Sequence, residues 1–366
     1  MRRKSWLVLS IVIIAMMVLV SCKPAEVAPE PVVEEAEEVM EEVTTAAIIM
    51  PNPLGDRSFI DSSARGIARA NEELAVKADI IETQGVAEHE AALRGAIAQG
   101  YDLIMGLAID SELLFTLCDE YPEQYFASPS EVFAETLPEN LVAFTINVHE
   151  SSYLVGLIVG SMTETKTVGA VMGGDAPGLN QFFYGYKQGV LEVCPDCTVL
   201  ASYLGFDFSN PTLGKETAAA QYDEGADIIY QVAGRSGEGV IAASQERGLY
   251  SIGVDSNQDD IAAGSVIVSM IKRVDTTTFE SIKMVVDGTY AGGFKELGLA
   301  DGAAALSWDE GSTTFKDNGP AEMVEKLDAV ETLVEEYRGK ILSGDIVVCD
   351  ALRDVEMTTE ACAALK

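Results

Sequence analysis

His89 and His149 are all the imidazole in this chain of 366 residues, too little for most zinc sites or for a Ser-His triad. Positive charge is scarce as well. Only 24 Lys and Arg stand against 59 Asp and Glu, a formal net charge of −35. Such a surface repels nucleic-acid phosphates and anionic lipid headgroups, because both associations draw on Lys and Arg. Nucleic-acid binding and histidine-based catalysis are therefore not expected. The longest apolar run, Trp6 to Val20, falls short of the ~20 residues that a spanning helix needs, so no permanent transmembrane anchor is expected. What the chain does have is core material, with 48% hydrophobic residues and length for about two domains.

The first 22 residues read as an address. Arg2-Arg3-Lys4, the apolar run and Ser21-Cys22 are the three parts of an export signal. Leu19-Val20-Ser21-Cys22 resembles a bacterial lipobox, in which Cys22 is lipidated and becomes the mature N-terminus. Acyl chains would then be the protein's only hold on the membrane, with the body on the extracytoplasmic face. Residues 23–45 carry eight glutamates and Pro24, Pro29 and Pro31, a composition expected to remain a disordered, extended tether. Removing Met1–Thr45 takes out only eight acids and four bases, so most of the negative charge belongs to the body.

Cysteine usage fits export. Cys194-Pro195-Asp196-Cys197 is a CxxC motif with no second copy, which weakens a zinc reading. It follows a helical stretch and leads into a strand, the wrong end of a helix for a redox motif. A structural disulfide is favoured over a free dithiol, and Cys349 with Cys362 is a possible second bridge; Cys118 completes the set.

Beyond the tether, β-branched runs alternate with amphipathic stretches. Ala46–Met50, Ala78–Glu82, Leu103–Leu107 and Leu141–Ile146 read as buried strands of a parallel sheet. Val168–Met172, Thr198–Tyr203, Ile228–Gln231 and Ser251–Val254 repeat the pattern. Leu179–Val193, Thr212–Glu224, Gly237–Arg247 and Met323–Leu342 read as helices. Two consecutive βα series predict an α/β protein of two doubly wound lobes. Ligands in such sheets sit outside the carboxyl ends of the strands, and there this chain gathers glycines and carboxylates.

Those post-strand residues carry a family resemblance. Gly55-Asp-Arg-Ser-Phe-Ile-Asp-Ser-Ser-Ala-Arg-Gly66, Ser152-Tyr-Leu-Val-Gly156, Gly173-Gly-Asp-Ala-Pro177, Gly225-Ala-Asp-Ile-Ile229, Ile252-Gly-Val-Asp-Ser-Asn-Gln258 and Ser269-Met-Ile-Lys-Arg-Val-Asp275 resemble, in order and spacing, the basic-membrane-protein family. That family comprises substrate-binding lipoproteins of ABC importers, and its best-known members bind purine nucleosides. One departure is Ile60, where the family usually has Asn after the Phe of the first motif. The resemblance implies a periplasmic-binding-protein-like (type I) fold that closes on its ligand. It also implies permease subunits as partners, a monomer, no cofactor and no catalysis. Chain crossings would fall near Asn147-Val148, Val254-Asp255 and Ala304–Leu306. The expected lobes are then 46–147 with about 255–305, and 148–254 with part of the C-terminal segment, while 306–366 packs across both.

A nucleoside presents a flat ring system and a vicinal diol. A fixed carboxylate can accept from both hydroxyls, and Asp255 at a strand end is the first choice, with helix capping as its alternative. Lys272 matches the family's cleft lysine and could donate to ribose oxygens while balancing Asp255. Phe59 and Phe182 are the candidate stacking plates, although Phe182, Tyr186 and Val190 also recur at core spacing. Asp56 and Asp61 could meet the base or cap a helix; Asp110 and Asp175 rank lower. Gly234 and Gly237 would let backbone approach the ligand, in a spacing that is not the dinucleotide fingerprint. Asp255-x-Asn257-x-Asp259 lacks the glycine and glutamate of a calcium loop. Two alternatives stand beside nucleoside capture: a sugar or autoinducer-like polyol in the same cleft, and an extracytoplasmic nucleoside hydrolase using metal-bound water. A nucleotide is expected to bind poorly, since only Arg57, Arg235 and Lys272 offset the acidic rim.

Overall fold

The computed structural model describes residues 43–366 except Phe133; Cys22 and the expected tether lie outside the described residues, apart from Val43–Thr45. The first lobe is built from β1 (Thr44–Met50), α1 (Phe59–Glu73), β2 (Val76–Glu82), α2 (Val86–Gln99), β3 (Leu103–Gly106), α3 (Ser111–Glu120), β4 (Tyr125–Ser128) and β5 (Leu141–Ile146). The chain then enters the second lobe with α4 (Val148–Met162), β6 (Thr167–Met172), α5 (Pro177–Val193), β7 (Thr198–Tyr203), α6 (Pro211–Asp223), β8 (Ile228–Val232), α7 (Ser236–Arg247), β9 (Tyr250–Asp255) and β10 (Val266–Lys272). It returns through α8 (Val274–Val286) and β11 (Gly293–Leu297). The remainder is β12 (Ala304–Leu306), a 3₁₀ turn at Ser307–Glu310, α9 (Thr314–Asn318), α10 (Ala321–Ser343) and α11 (Glu360–Ala363).

The strands form two six-stranded sheets, ordered β11-β5-β4-β3-β1-β2 and β12-β10-β9-β8-β6-β7. All pairings are parallel except that of β12 with β10. Helices cover both faces, so the inner strands are buried along their whole length: β3, β5, β8 and β10 are buried at every residue. This is the expected two-lobed fold.

The chain crosses between the lobes at places that differ in part from expectation. The first crossing is at Asn147, between β5 and α4. The second is not at Val254-Asp255, because Val266–Lys272 forms a further parallel strand beside β9 before the chain leaves at Arg273. That run holds seven buried residues in a row and was not read as a strand. Residues 255–272 thus belong to the second lobe, and α8 packs on α1 of the first. The third crossing spans 298–303, just ahead of β12. The C-terminal segment lies mainly on the second lobe: α10 packs on α4, and disulfide-bonded Cys349 and Cys362 cluster against Tyr184 and Leu191 of α5. Arg353 reaches across to Glu296 at the end of β11.

Cys194 and Cys197 form the other disulfide, between α5 and β7, and Cys118 is free and buried. Helices α4 and α5 meet backbone to backbone. A Cβ on Gly156 would lie 2.2 Å from Tyr186 O, and one on Gly189 would lie 2.0 Å from Tyr153 O. Glycine is required by that approach, which fixes α5 and with it Phe182.

Candidate functional site between the lobes

The carboxyl edges of the two sheets face each other. Contacts across them come from the loop after β1 and the segment after β4 on one side, and from the ends of β9 and β10 on the other. Ser58 Oγ donates to Asp255 Oδ2 at 2.5 Å, and Lys272 Nζ lies 3.1 Å from Glu131 Oε2. Arg57 makes a two-pronged pair with Asp260 at 2.8 and 2.9 Å. Ser256 Oγ donates to Ser58 O, and Gln258 Nε2 to Arg57 O.

Asp255 ends β9 and is buried, with φ +64°, a left-handed conformation that aspartate tolerates better than most side chains. Ser256 N–H donates back to Val254 O at 2.7 Å, so the chain turns sharply there and presents the carboxylate to the first lobe. Burial pushes Asp255 up to about 6, against the pull of Lys272 and the Ser58 hydroxyl; Asp56 and Glu131 add to the rise. The alternative of helix capping does not apply, because no helix begins at Asp255.

Lys272 ends β10 and is 3% exposed. Its Nζ lies 5.2 Å from the Phe59 ring centre and 5.6 Å from that of Phe182, within cation–π range of both. Phe59 opens α1 in the first lobe; Phe182 sits in α5 of the second, buried beside Tyr186. Four of the sequence-derived candidates, Phe59, Phe182, Asp255 and Lys272, are thus brought together from both lobes.

The others serve local structure. Asp56 is buried and accepts from the N–H groups of Ser58, Ile60 and Asp61, which caps α1; burial outweighs these bonds and raises its pKa. Asp61 accepts from Gly55 and Arg57 N–H at 2.8 and 2.9 Å and shapes the same loop. Asp110 caps α3 through Leu113 N–H, and Asp175 accepts from Asn180 Nδ2; both are exposed. Gly234 takes φ +55° in the turn before α7. A Cβ on Gly237 would collide with Gln231 Oε1 at 1.8 Å. Gln231 in turn donates to Gln258 Oε1, which accepts also from Val254 N–H, so Gly237 makes room for the side chain that supports the Asp255 turn.

Glu131 and Ser58 went unnoticed in the sequence. The signal for Glu131 was the short run Tyr125–Ser128, a strand whose post-strand residues include it. Phe206 stands beyond another strand of the second lobe. It follows β7, is 58% exposed at φ +68°, and its ring fills the space over Gly174, where a Cβ would lie 2.5 Å away. Among the described residues, no group of three or more His, Cys, Asp or Glu side chains could hold a metal ion, which leaves the metal-dependent hydrolase alternative without a ligand set among them. No described helix is long and apolar enough to cross a membrane.

Comparison with known proteins agrees with this architecture. Residues 43–335 match the model of a family described as ABC transporter substrate-binding protein PnrA-like. Basic membrane protein D of Borreliella burgdorferi is 33% identical over 273 residues, covering 70% of this chain and 78% of that protein. An uncharacterized lipoprotein of Pyrococcus abyssi is 30% identical over 328 residues, covering 80% of each. Among solved structures, an ABC transporter solute-binding protein of Aeropyrum pernix K1 superposes with a TM-score of 0.73 at 30% identity, covering 84% of this chain and 93% of that one. A solute-binding protein of Actinobacillus succinogenes with bound D-allose shares the fold at 11% identity, with a TM-score of 0.59, covering 74% of this chain and all of that one.

Proposed function

The chain belongs to the PnrA-like ABC transporter substrate-binding proteins, and from that premise we propose that it captures a purine nucleoside between its lobes and presents it to an importer. The family binds substrate rather than transforming it, and its members work with permease and ATPase components. The observation that carries the ligand assignment is the convergence of Phe59 from one lobe with Phe182, Asp255 and Lys272 from the other.

Each group answers one part of a nucleoside. The ionised Asp255 carboxylate accepts from the paired ribose hydroxyls, and Lys272 donates to ribose oxygens. Phe59 offers its face to the base, with Phe182 or the exposed Phe206 as the second plate. Because most of these groups are buried, entry requires the lobes to swing apart at the three crossings. Lipidation of Cys22 would hold the body at the extracytoplasmic membrane surface, and its replacement by Ser would release the protein into the soluble fraction.

The test is thermal stabilisation by inosine, guanosine or adenosine, with free hexoses as the contrast. At a hundredfold excess over Kd a nucleoside adds about 2.7 kcal/mol. Stabilisation by a sugar alone would favour the polyol reading, since Asp255 and a phenyl face also suit a pyranose. No response to any nucleoside would end the purine assignment while leaving the fold and family intact.

A further inference from the structure

We propose that Glu131 is the residue by which this cleft refuses anionic solutes: it holds, from the opposite lobe, the place beside Lys272 that a ligand's phosphate or carboxylate would take. The inference rests on the interlobe cleft being the capture site, though not on the solute being a nucleoside.

A buried ammonium is the strongest attraction a cleft offers to an anion, and Lys272 is such a group, with its side chain only 4% exposed. Its nearest carboxylate is not Asp255 on its own sheet but Glu131, delivered by the segment after β4 of the other lobe at 3.1 Å. The Glu131 side chain is 20% exposed, so water screens the pair little. The second carboxylate oxygen stands over the first turn of α5. A Cβ on Gly178 would lie 2.8 Å from Glu131 Oε1, so the glycine makes room for the carboxylate. The amino end of a helix favours negative charge, and here that charge is already supplied by the protein.

Two neighbouring arginines are engaged elsewhere. Arg57 is paired with Asp260, and Arg65 donates to Ser256 Oγ. With Asp255 ionised above about pH 6, Lys272 already balances two carboxylates, so an incoming phosphate meets net negative charge. Such like-charge juxtaposition discriminates between ligands more than it strengthens the chosen one. Neutral solutes escape the repulsion.

Three proteins test this: the unaltered chain, Glu131→Gln, which keeps the shape and removes the charge, and Glu131→Ala, which empties the place. Folding of each is checked by circular dichroism. Guanosine and guanosine monophosphate are titrated calorimetrically, and inorganic phosphate is compared with chloride in thermal melts at equal ionic strength. The unaltered protein should prefer the nucleoside by at least about tenfold. Each variant should narrow that preference by about tenfold or more, and phosphate should raise the melting temperature of the Ala variant beyond its effect on the unaltered protein. An undiminished preference in both variants would overturn the proposal. If guanosine binds none of the three, the purine reading fails; the phosphate melts then decide on Glu131, and equal shifts in variant and unaltered protein would refute it.

Discussion

Two aspartates, each at the carboxyl end of a strand and each buried, meet different fates in the two lobes. Asp56, in the loop after β1, is surrounded by three backbone N–H donors from the start of α1. Asp255, ending β9, has the Ser58 hydroxyl as a hydrogen-bond donor and the Lys272 ammonium as a nearby cation. Backbone donors are fixed by the helix and cannot be given up without unwinding it. A hydroxyl and an amine can turn toward a ligand. The comparison teaches that a carboxylate's position after a strand says where function could be, while its partners say whether the group is free to perform it.

The largest effect should come from Asp255→Ala. Losing two charge-assisted hydrogen bonds to a diol, each about 1.5–3 kcal/mol, weakens nucleoside binding at least about a hundredfold in calorimetry, with the fold retained. Asp56→Ala should do the reverse. It orphans three N–H groups at the start of α1 and lowers unfolding free energy by about 2–4 kcal/mol in denaturant titration, and any loss of binding should follow from instability. If Asp56→Ala instead leaves stability unchanged and abolishes binding, the contrast between the two aspartates is broken.

A pH series sharpens the same contrast. For Asp255, folding raises the pKa from its ordinary value near 3.8 to about 6. The folded form therefore holds the proton more tightly than the unfolded chain. The stabilisation from this group is fully present below about pH 4 and is lost as pH rises to about 6. Asp255→Asn should remove this slope and add up to about 3 kcal/mol of stability at pH 7, while nucleoside affinity is lost. In the unaltered protein, affinity should fall as pH drops below about 6, because the protonated carboxyl no longer accepts from both hydroxyls. A flat affinity profile from pH 5 to 8 would show that the ionised carboxylate is not the recognising group.

The smallest effect concerns the rim. Arg57 and Asp260 form an ion pair across the cleft, with side chains 48% and 67% exposed, so its contribution lies within about 0.2–1 kcal/mol. Arg57→Ala should leave stability almost unchanged and alter nucleoside affinity by less than about fivefold; a hundredfold loss would make Arg57 part of the recognition machinery.

Much of the fold could be read along the chain because its signals are local. β-branched runs marked most strands, and helices such as Leu179–Val193 and Met323–Leu342 came within two residues of their observed limits. Four strands escaped: β11 and β12, short strands at the sheet edges, and two that bear on the site. Tyr125–Ser128 is four residues long, too short for a periodicity argument. Val266–Lys272 leads directly to a lobe crossing, and Ser269 and Lys272 interrupt its apolar run. Missing these strands hid Glu131 and misplaced the second crossing. Within the site, Phe59 and Asp255 were legible because post-strand position and chemical type coincide, whereas Phe182 and Lys272 entered through the family resemblance. Asp56, Asp61, Asp110 and Asp175 share both properties, and only hydrogen-bond geometry separates them from Asp255.

The amino-acid order alone determined the alternation of strand and helix, the acidity of the body and the family, since propensity, charge and motif spacing act over short stretches of chain. Which carboxylate faces the cleft, which partner Lys272 takes and where the lobes hinge were decided by the tertiary structure. These depend on residues up to about two hundred positions apart, such as Ser58 and Asp255, whose meeting follows from how two sheets are wound and from no local pattern.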